Sequence, residues 1–365
     1  MSHIDDVHSN MQGGRPESKP AIDMTGKANP AAVGTEPAEA AVSAVPMRLG
    51  KIAMEEHFVF PELVDYLGET QQNLKDGLIE KVVPILSDFG ERRLSVMAEN
   101  GIELSVLSLA GSGVQIEKDV GKAVRLAKLC NDRLAAEIHK QPHRYGGFAH
   151  LPMQDPKAAA DELERAIRDL NFRGTLINGQ TNGLYLDDPC YEVFWERAAA
   201  LQVPIYLHPG NPTDHPHMYA GRSELWGPVW SWAAETCSHA LRLVFAGVFE
   251  RHPGARVILG HMGETLPIQL WRIDNCTPIS KKSFDLPKKP SSYIRENIYV
   301  TTSGVCNDGA LRCALDAMGD DHVMFSIDYP FESPKIAADW IENVPVSEEL
   351  RERIASGTAR KVLKL

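Results

Sequence analysis

The sequence predicts an α/β protein, a (β/α)8 barrel of the TIM type, preceded by a disordered tail. Three observations carry that prediction. From Met47 onward, eight short and mostly apolar runs alternate with helical segments. This is the pattern of a parallel sheet covered by helices, and eight strands close a barrel. The stretch after the tail, residues 48–365, exceeds the roughly 250 residues that such a barrel takes as one domain. Acidic and histidine side chains stand at the ends of four of the eight runs, and parallel strands of a barrel bring those ends to one face. An open doubly wound sheet is the runner-up, but no G-x-G-x-x-G follows an early strand.

Each element has its own signal. Residues 1–47 are rich in Ala, Pro, Gly, Ser and Glu, without aromatic residues or a sustained period. Such a segment buries too little surface to offset its ordering entropy, so it is predicted as a disordered tail. The first strand is 51–54, followed by an irregular helical stretch over 61–100. The next strands are 102–108, 145–149, 174–178, 203–208, 256–261, 298–302 and 323–328. The helices between them are placed at 118–140, 155–170, 188–201, 229–250, 264–275 and 307–318, with two more at 334–342 and 347–362. Asp155-Pro156 and Asp188-Pro189 put proline in the first turn of a helix, where it is favoured.

Composition narrows the function. With 38 basic against 49 acidic residues the net charge is −11, which argues against nucleic acid or an anionic membrane as partner. No apolar run is long enough to span a bilayer, and no basic n-region with an apolar core marks a secretory signal. Six scattered cysteines without C-x-x-C pairing read as reduced thiols of a cytoplasmic protein.

The polar residues at strand ends carry the chemistry. Glu55 and His57 are two apart, so an extended backbone sends both side chains to one face. His208, His261 and Asp328 end the fifth, sixth and eighth strands. Glu55, His57, His208 and Asp328 together offer two carboxylates and two imidazoles, a shell for one divalent cation, with zinc favoured and manganese or magnesium also suited. Asn178 ends the fourth strand where a bridging lysine carbamate would need lysine, so a single metal is expected. Glu56, between two ligands, must face the other way and is expected to be structural. Glu264 lies one helical turn beyond His261. A carboxylate there would fix the imidazole tautomer, making an acid/base dyad. His150 and His239 read as packed structural residues. Trp226, Trp230, Tyr329 and Phe331 are candidates for an aromatic-binding wall.

Several motifs resemble one family. Glu55-Glu-His-Phe, Val203-Pro-Ile-Tyr-Leu-His-Pro, Ile258-Leu-Gly-His-Met-Gly-Glu, Trp271-Arg-Ile-Asp and Phe325-Ser-Ile-Asp-Tyr-Pro-Phe-Glu are similar to the decarboxylase branch of the amidohydrolase superfamily, in the right order over about residues 50–365. That branch includes γ-resorcylate and 2,3-dihydroxybenzoate decarboxylases and, more distantly, aminocarboxymuconate-semialdehyde decarboxylase. The resemblance implies a metal-dependent hydrolase-like barrel and non-oxidative loss of CO2 from an ortho-hydroxylated benzoate, reversible at high bicarbonate. It implies Glu55, His57, His208 and Asp328 as metal ligands, and Asp328, His261 and Glu264 as the catalytic groups. Arg272 would help to hold a small aromatic carboxylate, beside Phe331 and Trp226. It also implies a homodimer or homotetramer. One position departs from the pattern: Gly210 stands where the family often has arginine. Two other readings are carried along. The same shell could hydrolyse a lactone or amide, or the barrel could be an inactive binding protein, which would predict a missing ligand.

Overall fold

The computed structural model describes residues 48–68, 72, 75–282 and 284–365. The tail expected over residues 1–47 lies outside the described residues. Eight strands pair in parallel in chain order: β1 (Lys51–Phe58), β2 (Ile102–Leu109), β3 (Tyr145–Ala149), β4 (Gly174–Asn178), β5 (Pro204–His208), β6 (Arg256–Leu259), β7 (Ile298–Thr301) and β8 (Val323–Met324). Helices follow them as a (β/α)8 barrel requires. The ring closes between β1 and the segment after β8, through a parallel bridge from Glu56 to Tyr329. The Tyr329 carbonyl accepts from His57 N at 2.7 Å, and the Glu55 carbonyl from Asp328 N at 3.1 Å.

The two faces of the sheet bury different cores. Ile52, Met54, Val106, Phe148, Leu176, Tyr206, Ile258 and Met324 fill the lumen, joined from one end by Ala359, Val362 and Leu363 of the helix Thr358–Leu363. The outer layer packs against helices such as Val120–Lys140 and Pro156–Arg168. Both are capped where the sequence places an aspartate: Asp119 accepts from Lys122 N and Asp155 from Ala158 N.

Three elements differ from expectation. β1 runs four residues longer than 51–54, because the pairing register shifts between Ala53 and Glu56. This bulge breaks the alternation: Ile52 and Met54 face the lumen, Ala53 faces the helices, and within the bulge Glu55 also turns inward. β8 keeps only two ladder residues, because the Ser326 side chain takes over the next backbone donors, accepting from Met54 N at 3.1 Å and Glu55 N at 2.7 Å. The helix expected at 229–250 is two, Ser231–Phe245 and Val248–Arg251, separated at Gly247 with φ +73°.

Candidate active site

The bulge on β1 and the end of β5 deliver three of the clustered groups. Glu55 and His57 leave β1 toward the mouth of the barrel, and His208 is the last residue of β5. Asp328 lies past β8 with φ +79°, a conformation that persists only where its surroundings hold it. One ligand atom from each of these four residues lies within 4.8 Å of the others. His57 Nε2 is 3.2 Å from Asp328 Oδ1, and His208 Nε2 is 3.4 Å from Glu55 Oε1.

The residues fit a divalent cation. Glu55 Oε1 and Asp328 Oδ1 are buried without a hydrogen-bond partner among the described residues, and buried polar atoms are rarely left so. Both imidazoles are tied by the far nitrogen: His208 Nδ1 donates to the Pro209 carbonyl at 2.9 Å, and His57 Nδ1 lies 3.2 Å from Ser108 Oγ. That leaves each Nε2 toward the cluster, the arrangement of a ligating histidine. Burial holds the His208 ring down to about 4, so it is neutral and its lone pair is available.

His261 stands beside this cluster. Its Nδ1 pairs with Glu264 Oε1 at 2.9 Å, and its Nε2 is 3.6 Å from Asp328 Oδ2. Burial opposes charge on this ring, but Glu264, Glu55 and Asp328 outweigh it and hold the imidazole well above its ordinary value. Burial would also raise the Asp328 carboxyl. Its contacts with His261 and His57 prevail and keep it well below the usual carboxylate range. Both directions favour His261 over Asp328 as the holder of a proton.

A cavity of about 250 Å3 opens over these groups, lined by His57, His208, Asp328, Leu78, Val82 and Phe331, with Trp232 beside them. The Phe331 ring centroid is 5.7 Å from that of His57. Two expected substrate residues are placed elsewhere. Trp226 does not line this cavity; it stacks on His215 at 4.0 Å within the loop. Trp232, the second residue of the helix Ser231–Phe245, takes the wall instead, its Nε1 donating to Asn211 Oδ1 at 2.7 Å. Arg272 is exposed on the helix Leu266–Cys276, without a hydrogen bond or ion pair among the described residues. The helical period explains this, because the buried face there is Leu266, Pro267 and Leu270. Gly210 packs on Gly179, and a Cβ on it would meet Gly179 Cα at 3.3 Å.

His150 and His239 are structural. His150 Nε2 accepts from Val114 N at 2.8 Å, and His239 Nε2 from Leu186 N at 2.9 Å. Glu56 faces away from the cluster, accepting from Ile327 N at 3.2 Å. Sequence reasoning misses Arg93, which is buried beneath the site. It donates to the His57 carbonyl at 2.7 Å and lies over the Tyr329 ring at 4.9 Å, bracing one residue of the cluster and the neighbour of another. No motif marks it; only an arginine on the apolar side of a helix hints at it.

Comparison with known proteins agrees with this geometry. An amidohydrolase family model matches residues 82–365. A γ-resorcylate decarboxylase from a Polaromonas species is 43% identical over 326 residues, covering 87% of this chain and 99% of that protein. A crystal structure of 2,6-dihydroxybenzoate decarboxylase complexed with 2,6-dihydroxybenzoate superposes with a TM-score of 0.82 at 40% identity, covering 87% of this chain and 99% of the other. A Polaromonas dihydroxybenzoic acid decarboxylase, with bound manganese and the inhibitor 2-nitroresorcinol, gives 0.81 at 42% identity, covering 87% and 97%. The chain belongs to the amidohydrolase family, in the branch related to the γ-resorcylate decarboxylases.

Proposed function

We propose that this protein is a carboxy-lyase that removes CO2, without oxidation and with a divalent metal, from an ortho-hydroxylated benzoate of the dihydroxybenzoate type. The observation that carries this is the four-residue cluster with a histidine–carboxylate pair at its edge, inside a small cavity with apolar walls. The relatives' printed activities support the same reading.

Glu55, His57, His208 and Asp328 would hold the cation, which when bound supplies positive charge to substrate oxygens and acidifies a phenol. Leu78, Val82 and Phe331 would pack the ring and keep water from the reacting carbon. His261, held by Glu264, carries the proton and passes it, directly or through Asp328, to the ring carbon that bears the carboxylate. That carbon becomes tetrahedral and the ring loses aromaticity. The C–C bond then breaks, CO2 leaves, and the electron pair returns to the ring. Zinc is our expectation for this mixed shell. The manganese in the Polaromonas relative makes that ion equally suited. Exposed Ile268, Trp271 and Ile279, at 71, 76 and 82%, support self-association as a dimer or tetramer.

The test is a panel of salicylate, 2,3- and 2,6-dihydroxybenzoate and 5-carboxyvanillate, with a lactone as control, run beside metal analysis. CO2 release from at least one benzoate is expected. Acid release from the lactone, with no CO2 from any benzoate, would overturn the reading.

A further inference from the structure

Below the cluster, hydroxyl groups from two strands join Glu55 to the backbone of His261. Tyr206 Oη hydrogen-bonds Glu55 Oε2 and lies 2.9 Å from Thr301 Oγ1. Thr301 Oγ1 is 2.8 Å from Ser303 Oγ, which accepts from His261 N at 3.2 Å. All the side chains that form these links are buried.

The direction of the chain follows from its ends. An amide N–H only donates and an ionised carboxylate only accepts. Ser303 takes the His261 proton donor, so its own hydroxyl is free to donate to Thr301. Thr301 then donates to Tyr206, and Tyr206 to Glu55. Every dipole points the same way, and such bonds strengthen one another in a dry interior. Both ends are places that need support. Glu55 Oε2 is committed to Tyr206 while Oε1 is left without a partner, so the hydroxyl determines which oxygen faces the cluster. At the other end, His261 and Met262 sit at φ +50° and +59°, conformations that persist only when the surroundings over-determine them. Gly260 belongs to the same arrangement. A Cβ there would come within 2.8 Å of Glu55 Oε2 and 3.0 Å of Tyr206 Oη.

We infer that Tyr206, Thr301 and Ser303 are positioning residues that link the carboxylate ligand Glu55 to the turn carrying His261, so that cation binding and placement of the imidazole depend on one another.

The test reads metal affinity, not turnover, and so is independent of which substrate is used. Mn2+ alone is titrated into the metal-free full-length protein, and free Mn2+ is followed by electron paramagnetic resonance. Tyr206→Phe should weaken binding about 10–100-fold, the usual cost of removing a group that orients a ligand. Ser303→Ala touches no ligand, yet should weaken it several-fold. The double variant should bind more tightly than the product of the two losses predicts, because both break the same chain. Wild-type affinity in Ser303→Ala, or strictly multiplicative losses, would overturn the inference. If Tyr206→Phe does not fold, Thr301→Val, which removes one hydroxyl at constant shape, takes its place with the same expected coupling to Ser303→Ala and the same overturning results.

Discussion

His57 Nε2 and Asp328 Oδ1 face each other at 3.2 Å, across the seam where the first strand meets the segment after the last. The seam that closes the barrel is thus also one side of the metal site. Loss of either side chain leaves the other three groups without a full shell. We expect Asp328→Ala and His208→Ala to lose bound metal, and to lose both decarboxylation and the bicarbonate-driven reverse reaction. Inductively coupled plasma analysis with a CO2-release assay checks this. Full turnover by metal-stripped Asp328→Ala protein would refute the assignment.

His261 touches Asp328 but is not needed to complete the four-ligand cluster. His261→Gln should keep its metal and lose about 10²–10⁴-fold in kcat, the usual worth of a positioned acid. Glu264→Gln, which retains an oxygen acceptor for Nδ1, should lose less. Equal metal content with unequal rates is the expected pair of measurements; metal loss in His261→Gln would make it a ligand.

Arg93 is buried and donates to the Asp88 carbonyl at 2.8 Å and the His57 carbonyl at 2.7 Å. Removing the guanidinium leaves these carbonyls unpaired. Arg93→Met, which leaves the buried His57 carbonyl without this donor, should lower unfolding free energy by about 1–3 kcal/mol, read from urea midpoints. A change below about 0.5 kcal/mol would show that the His57 carbonyl needs no donor from Arg93.

Burial lowers His150 to about 4 and His239 to about 3, whereas an unfolded histidine titrates near 6.5. Below that value the unfolded chain binds more protons, so stability is fully present above about pH 6.5 and is lost as pH falls toward 4. His150 alone contributes on the order of 3 kcal/mol, from about 1.4 kcal/mol for each unit of displacement. His150→Gln, which can still accept from Val114 N, should flatten the fall in urea midpoint between pH 6.5 and 4.5. Identical slopes in the two proteins would refute the prediction.

The parts of the site that were legible in the sequence are those set by strand order. Glu55, His57, His208 and Asp328 are found because a parallel barrel sends every strand end to one face, whatever the side-chain packing. Trp226 and Trp232 are not separable that way. Both are aromatic and near the mouth, and only the path of the 209–230 loop decides which one turns inward. Tyr206 is invisible for a different reason. A tyrosine in an apolar strand reads as core, and its partner Glu55 reaches it only because of the bulge, which the short apolar run 51–54 does not announce. Arg93, on a helix, depends on a contact with a carbonyl of β1, and no local pattern encodes that.

Ala359, Val362 and Leu363 complete the lumen core together with residues from β1 to β8. A chain emerging from the ribosome presents β1 long before these three residues. Until Thr358–Leu363 is released, Ile52, Met54, Val106 and Phe148 have water where their last neighbours belong. The lumen is thus sealed only by a contact between the first strand and a helix that follows the last one, so the core closes after β1 to β8 have all been made.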